Sequence, residues 1–418
     1  MRLMAVNIYP ILVALRRHKA AVILVVLQIA LTLAIVANAF FIIGHTIERM
    51  NRPTGMEEDG LIWILQKLPV QSGGDPAAAM ETLDALQRTD LETLRNLPDV
   101  QDVAATTSIP QLQGDDAGDI SLDADRQGKV VRAAYYYGDE HLRAAFGLHL
   151  ISGRDFLANE IQHGRGSPGS SAVIVSESLA DQLFPNGNAL GQTIYQDGDP
   201  ATIVGIVERL QTPMSEDKNS SWALNSVIEP LRADVLWASY VVRTRDGRAS
   251  EAIREIRKAL FAVNPMRHMP EPGAGIRLLS EARASAFGQE RGIALLMSVI
   301  CFILLSVTAA GIVGLTSFWV GQRARQIGVR RAFGARKKDI QHYFQIENLL
   351  IVSSGAVLGA LFAYGLSAWL MAHYEMMHLP LASVAIGILT MLVLGQAAAL
   401  APARRASNVP PIVAARSA

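Results

Sequence analysis

The amino-acid sequence predicts an α+β membrane protein with four transmembrane helices, one and then three, and a large two-part α+β extracytoplasmic domain. Three observations predict this fold class: four long apolar stretches, a polar block of about 250 residues between the first two, and two β-α-β patterns inside that block. Half of the 418 residues are hydrophobic. That fraction lies between the values typical of a soluble enzyme and of a wholly embedded protein, so it agrees with a mixed architecture.

Four apolar stretches are long enough to cross a bilayer, which takes about 20 helical residues. They are Ala20–Ile43, Gly292–Val320, Leu349–Ala372 and Leu381–Ala401. The first exceeds the apolar core of a typical signal peptide and lacks a small-residue cleavage site, so we interpret it as a membrane span. Small residues recur every fourth position at Gly355, Gly359 and Ala363, a spacing that favours close helix packing in membranes.

The positions of Lys and Arg predict the orientation in the membrane. Three basic residues immediately precede the first stretch, seven lie within residues 321–338 after the second, and Arg404 and Arg405 follow the fourth. The loop 373–380 has none, and residues 44–291 hold 24 Lys/Arg against 35 Asp/Glu. Because short basic connectors stay on the cytoplasmic side, both termini are predicted to be cytoplasmic and residues 44–291 to lie outside.

Residues 44–291, the external domain, carry the patterns of a folded α+β domain. Two β-α-β units predict a split ferredoxin-like subdomain. Their predicted elements are strands at Gly60–Leu68, Val100–Ser108, Val235–Thr244 and Gly275–Leu279, with helices at Ala77–Asn96 and Ala249–Val263. The insert at about 110–230 is predicted to be β-rich, with strands at Gly128–Gly138, Ala172–Val175, Gln192–Tyr195 and Thr202–Glu208. Upstream of the second span, residues 278–291 predict that one helix leaves the membrane as a stalk.

The most basic part of the chain is residues 321–338, where seven of 18 residues are Arg or Lys and none is acidic. Ile327, Val329 and Phe333 interleave with these charges. Such a mixture predicts a short helix at the membrane surface that contacts a cytoplasmic partner. A positive-inside topology anchor with no further role explains the same composition. Glu347, at the start of the third span, is expected either to pair with the basic cluster or to line a polar path.

This segment resembles a known family. Residues Arg323–Arg336, followed by Asp339-Ile340 and Glu347–Leu350, closely resemble the region between the second and third spans of MacB/FtsX-type ABC transporter permeases, the type VII class. The closing segment Pro402–Arg416 is similar to that of the same family. Four stretches resemble its periplasmic core domain: Gly153–Phe156, Ser176–Pro185, Leu190–Gln192 and Ile203–Val207. The resemblance covers nearly the whole chain in order.

The resemblance implies a multi-pass permease subunit of a bacterial inner membrane, with its large domain in the periplasm. It implies a pair of permeases, formed with a second copy or a paralogue, and two copies of a cytoplasmic ABC ATPase. ATP-driven closure of the ATPases would then move the external domain, an action called mechanotransmission. Membrane lipid is a further expected partner and nucleic acid is not. A periplasmic adaptor and an outer-membrane channel are left open.

In this family the basic segment docks on the ATPase. The resemblance therefore implies ATPase-coupling roles for Arg323, Arg325, Gln326, Ile327, Gly328, Arg330, Arg331, Gly334, Ala335 and Arg336. Four of these match the family pattern, namely Gly328, Arg330, Gly334 and Ala335. The chain departs from it at Gln322 and Gln326, where the family often carries Glu.

The predicted organisation has nine parts. They are a cytoplasmic N-terminal helix at 1–19, a first span at 20–43, the periplasmic core domain with its stalk at 44–291, a second span at 292–320, a cytoplasmic coupling segment at 321–348, a third span at 349–372, a short periplasmic loop at 373–380, a fourth span at 381–401 and a cytoplasmic tail at 402–418.

Motifs for ATP, metal or covalent chemistry are missing from the sequence. It contains no GxxxxGK[ST] phosphate-binding loop, since the pair Gly128-Lys129 has Asp123 where the first glycine belongs. The stretch that begins at Asp123 starts like a calcium loop but has Gln127 and Ala134 at two ligand positions. We therefore expect no catalytic residues, metal or cofactor in this chain, with ATP bound and hydrolysed by a separate polypeptide.

Two functions from different classes stay open. The first is a transporter subunit that exports or extracts a peptide, a lipoprotein or an antibiotic-like substrate. The second is an FtsX-like lever that regulates a cell-envelope enzyme without transport. The large, two-part external domain favours the first. A membrane-anchored sensor or enzyme is a third class, which the missing catalytic motifs and the three returning spans disfavour.

Overall fold

The computed structural model describes residues 19–70, 75–114, 116–164, 171–213, 222–233, 235–270, 275–374 and 379–408. The predicted N-terminal helix therefore lies outside the described residues, as do parts of the loop 373–380 and of the tail 402–418. The chain divides into two compact units, an external unit (Arg49–Gln289) and a membrane unit (Met1–Glu48 with Glu290–Ala418).

The helices of both units, in chain order, are α1 (Lys19–Met50), α2 (Pro76–Arg95), α3 (Leu142–Phe146), α4 (Glu177–Leu183), α5 (Ala249–Val263), α6 (Leu279–Ala286), α7 (Gly288–Gln322), α8 (Ala324–Ala332), α9 (Lys337–Tyr374) and α10 (Leu381–Ser407). The strands are β1 (Leu61–Lys67), β2 (Val100–Ala105), β3 (Ala117–Ser121), β4 (Val130–Gly138), β5 (Leu150–Gly153), β6 (Gln162–His163), β7 (Ala172–Ser176), β8 (Thr193–Gln196), β9 (Asp199–Val207), β10 (Ser226–Arg232), β11 (Trp237–Thr244) and β12 (Ile276–Leu278).

Four helices, α1, α7, α9 and α10, are long and apolar enough to cross a membrane. This confirms the predicted pattern of one and then three spans. Small residues allow the helices to approach closely, because a Cβ added at Gly355 would lie 2.7 Å from Ile29 and one at Gly359 would lie 2.8 Å from the carbonyl oxygen of Ala30. A buried hydrogen bond of 2.9 Å between Thr32 and Thr308 joins α1 to α7.

The predicted ferredoxin-like subdomain is present. Four antiparallel strands form a sheet in the order β12-β1-β11-β2. Helix α2 connects β1 to β2 and helix α5 connects β11 to β12, so the two β-α-β halves interleave as the split motif requires. Leu83, Leu91 and Leu94 of α2 pack with Ile256 and Leu260 of α5 in one core on the sheet.

The insert between β2 and β11 is β-rich, as predicted. Six strands close into a ring in the order β4-β3-β8-β9-β7-β10, and β10 pairs in parallel with β4 to complete it. Side chains alternate along β7, where Val173 and Val175 join the core with α4 while Ala172 and Ile174 join the core shared with the ferredoxin-like sheet. Closure removes the exposed edges that an open sheet would present.

One expectation is wrong. The sequence predicts a single helix running from residue 278 into the second span, but α6 ends at Ala286 and α7 begins at Gly288. Phe287 interrupts them with φ −85° and ψ 5°, and its side chain is buried in the external unit. The helix is therefore interrupted at the residue whose aromatic side chain is buried.

The β-rich subdomain holds a buried carboxylate that has no cationic partner in the part of the chain that the structure describes. Glu229 of β10 is 9 % exposed, and its carboxylate has no hydrogen-bond partner among the described residues. The Tyr135 hydroxyl is also buried and has no hydrogen-bond partner within the described ranges. Burial raises the pKa of Glu229 from 4.5 to about 7, and the charge of Asp116 adds to the shift.

This shift predicts a pH-dependent stability. Because the folded pKa of Glu229 exceeds the unfolded value, the free energy of unfolding should fall as the pH rises from 4.5 through about 7. Glu229→Gln removes the ionisation, so it should stabilise the protein at pH 8 by up to about 3 kcal/mol and have little effect at pH 5. Thermal unfolding of both proteins in detergent across this range measures the difference. A difference that does not change with pH would contradict the assignment.

Candidate functional site

The coupling segment (residues 321–348) folds into helix α8, a tight turn and the start of helix α9. Two backbone hydrogen bonds of 3.1 Å end α8, one from Gly334 N–H to the Arg331 oxygen and one from Ala335 N–H to the Arg330 oxygen. This is the Schellman arrangement, which needs a left-handed residue, and Gly334 supplies it with φ +93°. Gly334 therefore shapes the turn between the two helices.

A buried ion pair fixes the beginning of α8. Arg323 donates to both carboxylate oxygens of Glu347, at 3.0 and 2.9 Å. The Glu347 side chain is 1 % exposed, and the Arg323 guanidinium also lies 5.5 Å from the centre of the Trp319 ring. The expectation that Glu347 pairs with the basic cluster is thus confirmed. Removing one partner of such a pair leaves an uncompensated buried charge, which is strongly destabilising.

A second face of α8 packs against α9 and α10. Ile327 joins a buried cluster with Ile340 and Phe344 of α9 and with Ala403 and Ala406 of α10. Arg331 donates a hydrogen bond of 3.0 Å to the backbone oxygen of Ser407. Gly328 is buried on this face. These residues orient the helix and leave little of their surface for a partner.

A groove of about 270 Å³ is lined by residues of α8, of the turn after it and of the first turns of α9. Arg323, Gln326, Ile327, Arg330 and Ala335 line one side of it. Ile340 and Phe344, with Tyr343 and Asp339, line the other. The Arg330 guanidinium lies 5.4 Å from the centre of the Tyr343 ring, which holds it along the groove.

The third face of α8 and its end are exposed. Phe333 is 88 % exposed and Val329 is 41 % exposed. Arg325, Arg336 and Lys337 are exposed beside them. We call Arg325, Val329 and Phe333 the outer face. An aromatic ring this open, beside an aliphatic side chain and several cations, is typical of a protein-binding surface rather than of a solvated helix.

The structure therefore divides the ten predicted coupling residues. Arg323, Ile327, Gly328 and Arg331 hold the helix in place, Gln326, Arg330 and Ala335 line the groove, Gly334 shapes the turn, and Arg325 and Arg336 are exposed. Val329 and Phe333, which the sequence shows interleaved with the charges, were not among the ten predicted coupling residues. The available signal was their four-residue spacing from Arg325, which places all three on one side of a helix.

No metal site is seen in the described part of the chain, where no group of three His, Cys, Asp or Glu side chains is close enough to hold an ion.

Comparison with known proteins gives the family. The model of the MacB-like periplasmic core domain matches residues 22–259, and that of the FtsX-like permease C-terminal region matches residues 298–411. The chain belongs to the MacB/FtsX-type family of ABC transporter permeases. It is an integral membrane protein whose external domain is of the MacB periplasmic type.

Three relatives illustrate the similarity. The macrolide export ATP-binding/permease protein MacB of Chromobacterium violaceum is 25% identical over 270 residues, covering 64% of this chain and 40% of that protein. The probable syringafactin export ATP-binding/permease protein SyfD of Pseudomonas syringae pv. tomato is 29% identical over 288 residues, covering 64% and 41%. The crystal structure of the periplasmic region of MacB from Actinobacillus actinomycetemcomitans aligns with 17% identity and a TM-score of 0.33, covering 55% of this chain and 92% of that one. The chain thus spans about two fifths of the length of the two export proteins.

The ion pair at the start of α8 gives a stability prediction. Arg323→Met should lower the free energy of unfolding by about 3–5 kcal/mol, because the Glu347 carboxylate stays buried without its partner. The double variant Arg323→Met with Glu347→Met should recover most of this loss. Arg325→Met, which removes an exposed arginine two residues away, should change stability by only about 0.5 kcal/mol. Thermal unfolding in detergent measures all four proteins, and equal stability of the two single variants would contradict the buried pair.

Proposed function

We propose that this chain couples ATP hydrolysis by an ABC ATPase to movement of its external domain, and that the movement exports or extracts an amphipathic substrate. The exposed Phe333 on a helix held by buried contacts carries this proposal. A docking element has to keep its shape under load, and α8 is tied to α9 through Glu347 and to α10 through Ser407.

The outer face has the composition of an interface hot spot. Aromatic and arginine side chains dominate the binding energy of protein interfaces, usually around one well-buried anchor. Phe333 can act as that anchor, with Arg325 and Arg336 at its rim to steer an acidic surface. Arg323, Ile327, Gly328 and Arg331 then act by positioning α8, and Gln326, Arg330 and Ala335 line the adjacent groove.

The ATPase is the partner best supported by the relatives, because two of them are named ATP-binding/permease proteins. The 418 residues contain no GxxxxGK[ST] loop, so we place ATP binding outside them. We propose that a separate ATPase polypeptide, present in two copies, binds the ATP. A second permease copy or a paralogue completes the pair. The coupling segment and both termini are cytoplasmic in this proposal, and residues 44–291 are periplasmic.

The export activities for which two relatives are named also support the substrate class. One relative is named for macrolide export and another for syringafactin export. We therefore propose a peptide, lipoprotein or antibiotic-like cargo, with a periplasmic adaptor and an outer-membrane channel as further partners. An FtsX-like lever that regulates a cell-envelope enzyme would use the same docking helix. Efflux of a cargo from cells, which only the transporter produces, separates the two functions.

The docking role predicts a loss of affinity on truncating the anchor. Phe333→Ala should weaken binding of the cognate ABC ATPase by about 2 kcal/mol, or roughly 30-fold, because the exposed ring would lose its buried contacts in the complex. Titration of the ATPase onto the chain in lipid nanodiscs gives the affinity, and ATPase stimulation gives the coupling.

Phe302→Ala is the matched control, since Phe302 is 72% exposed on α7 inside an apolar stretch and away from α8. Its affinity should equal that of the parent. Binding and stimulation that are unchanged in Phe333→Ala would refute docking through the outer face.

A further inference from the structure

We infer that Arg283 is a positioning residue that ties the end of helix α1 to the segment preceding α7 and to the β-rich insert. Arg283 lies on α6, five residues before Gly288, the first residue of α7. Met50, one of its partners, is the last residue of α1. Both Met50 and Arg283 belong to the external unit, at the two points where the chain enters and leaves it.

Arg283 is one of five residues joined in a closed ring of hydrogen bonds. Its guanidinium donates to a carboxylate oxygen of Glu58 and, at 2.6 Å, to the side-chain oxygen of Gln111. Gln111 donates at 2.8 Å to the side chain of Gln211, whose backbone N–H donates at 2.9 Å to the Thr54 oxygen. The Thr54 hydroxyl donates at 3.0 Å to Glu58 and so returns to the start. We call these five residues the Arg283 ring.

The Arg283 ring provides hydrogen-bond donors for carbonyl groups at the end of α1. The last four carbonyls of a helix have no partner within it, and a cation near them is favourable. Gln111 donates to the Arg49 oxygen at 3.2 Å, and Arg283 approaches the Met50 oxygen at 3.5 Å. The Arg283 side chain is 13 % exposed, so its charge is held largely away from water and depends on these partners.

Backbone strain marks the same place. Gln111 has φ +60°, a left-handed conformation that a residue with a long side chain seldom adopts. It is buried, and the strained backbone directs its amide to Arg49, Gln211 and Arg283. Strain of this kind persists only where the surrounding contacts determine it, and it concentrates at functional positions.

The ring joins three segments that are far apart in sequence. Glu58 and Thr54 follow α1, Arg283 precedes α7, and the insert contributes Gln111 near its start and Gln211 between β9 and β10. A displacement of either connector therefore has to move the insert or break the ring. The existence of this joint rests on geometry alone, whereas its use in transmitting ATP-driven motion rests on the proposed function.

The first experiment tests the joint without any ATPase. Spin labels at Asn51 and Ser285, both exposed, are placed in a Cys301→Ser background of the full chain in nanodiscs. The parent should give one narrow distance distribution. Arg283→Met should broaden it or add a second population, and Arg283→Lys, which keeps the charge, should restore part of the narrow peak.

Two further variants make the result decisive. Arg154→Met removes an exposed ion pair of the same unit, with Glu160, and should leave the distribution unchanged. Gln111→Gly removes the amide but accepts the positive φ, so it should broaden the distribution even if Arg283→Met proves too unstable to purify. Parent-like distributions in Gln111→Gly and in Arg283→Met, where it folds, would overturn the inference.

The second experiment tests the use of the joint with the cognate ATPase bound. Labels at Glu81 and Asp125, which lie in the two subdomains, should report an ATP-dependent distance shift in the parent. Arg283→Met should lose this shift while retaining ATPase stimulation. A parent without any shift would count against the proposed function and leave the joint standing, whereas a full shift in Arg283→Met would remove its role in transmission.

Discussion

A buried carboxylate governs the shape of the coupling segment. Glu347 lies almost wholly out of water, ten residues after the start of the long helix α9, where an unpaired charge would be very costly. Arg323, the single residue between α7 and α8, neutralises it, and this fixes where α8 begins relative to α9. Gly334 then ends α8 in a left-handed turn, so both ends of the nine-residue helix are determined. One face of α8 packs against α9 and α10, a second borders the groove, and the outer face is exposed.

In the external unit, too, an arginine that contacts a carboxylate fixes the connecting segments. Its ring of six strands and its ferredoxin-like sheet share a core, in which Tyr136 and Ile228 of the ring pack with Leu61 and Val241 of the sheet. Arg283 holds the two points where the chain enters and leaves this unit, through polar contacts to Gln111 and Glu58. In each unit, a largely buried arginine thus fixes a connection by pairing with a carboxylate.

Much of the fold could be predicted from the sequence, and the reasons are local. Apolar stretches of about 20 residues identify spans directly, and α5 shows its helical period over its whole length. Strands β3 and β10 were missed because β3 has five residues and begins Ala-Gly, while β10 contains Pro230 and the charged Glu229. Both strands form because they pair with neighbouring strands of the closed ring. The division of α8 into faces could not be predicted, since Glu347 and Ser407 lie 24 and 76 residues from their partners.

In the proposed complex, α8 meets an ATPase through its outer face and not through its whole basic surface. Single cysteines at Arg325, Val329, Phe333, Gly328 and Arg331, each in a Cys301→Ser background, test it directly by thiol labelling with and without the cognate ATPase. We expect fast labelling at Arg325, Val329 and Phe333 that the ATPase suppresses, and slow labelling at Gly328 and Arg331 that it leaves unchanged. Protection spread evenly over all five positions, or confined to Gly328 and Arg331, would contradict it.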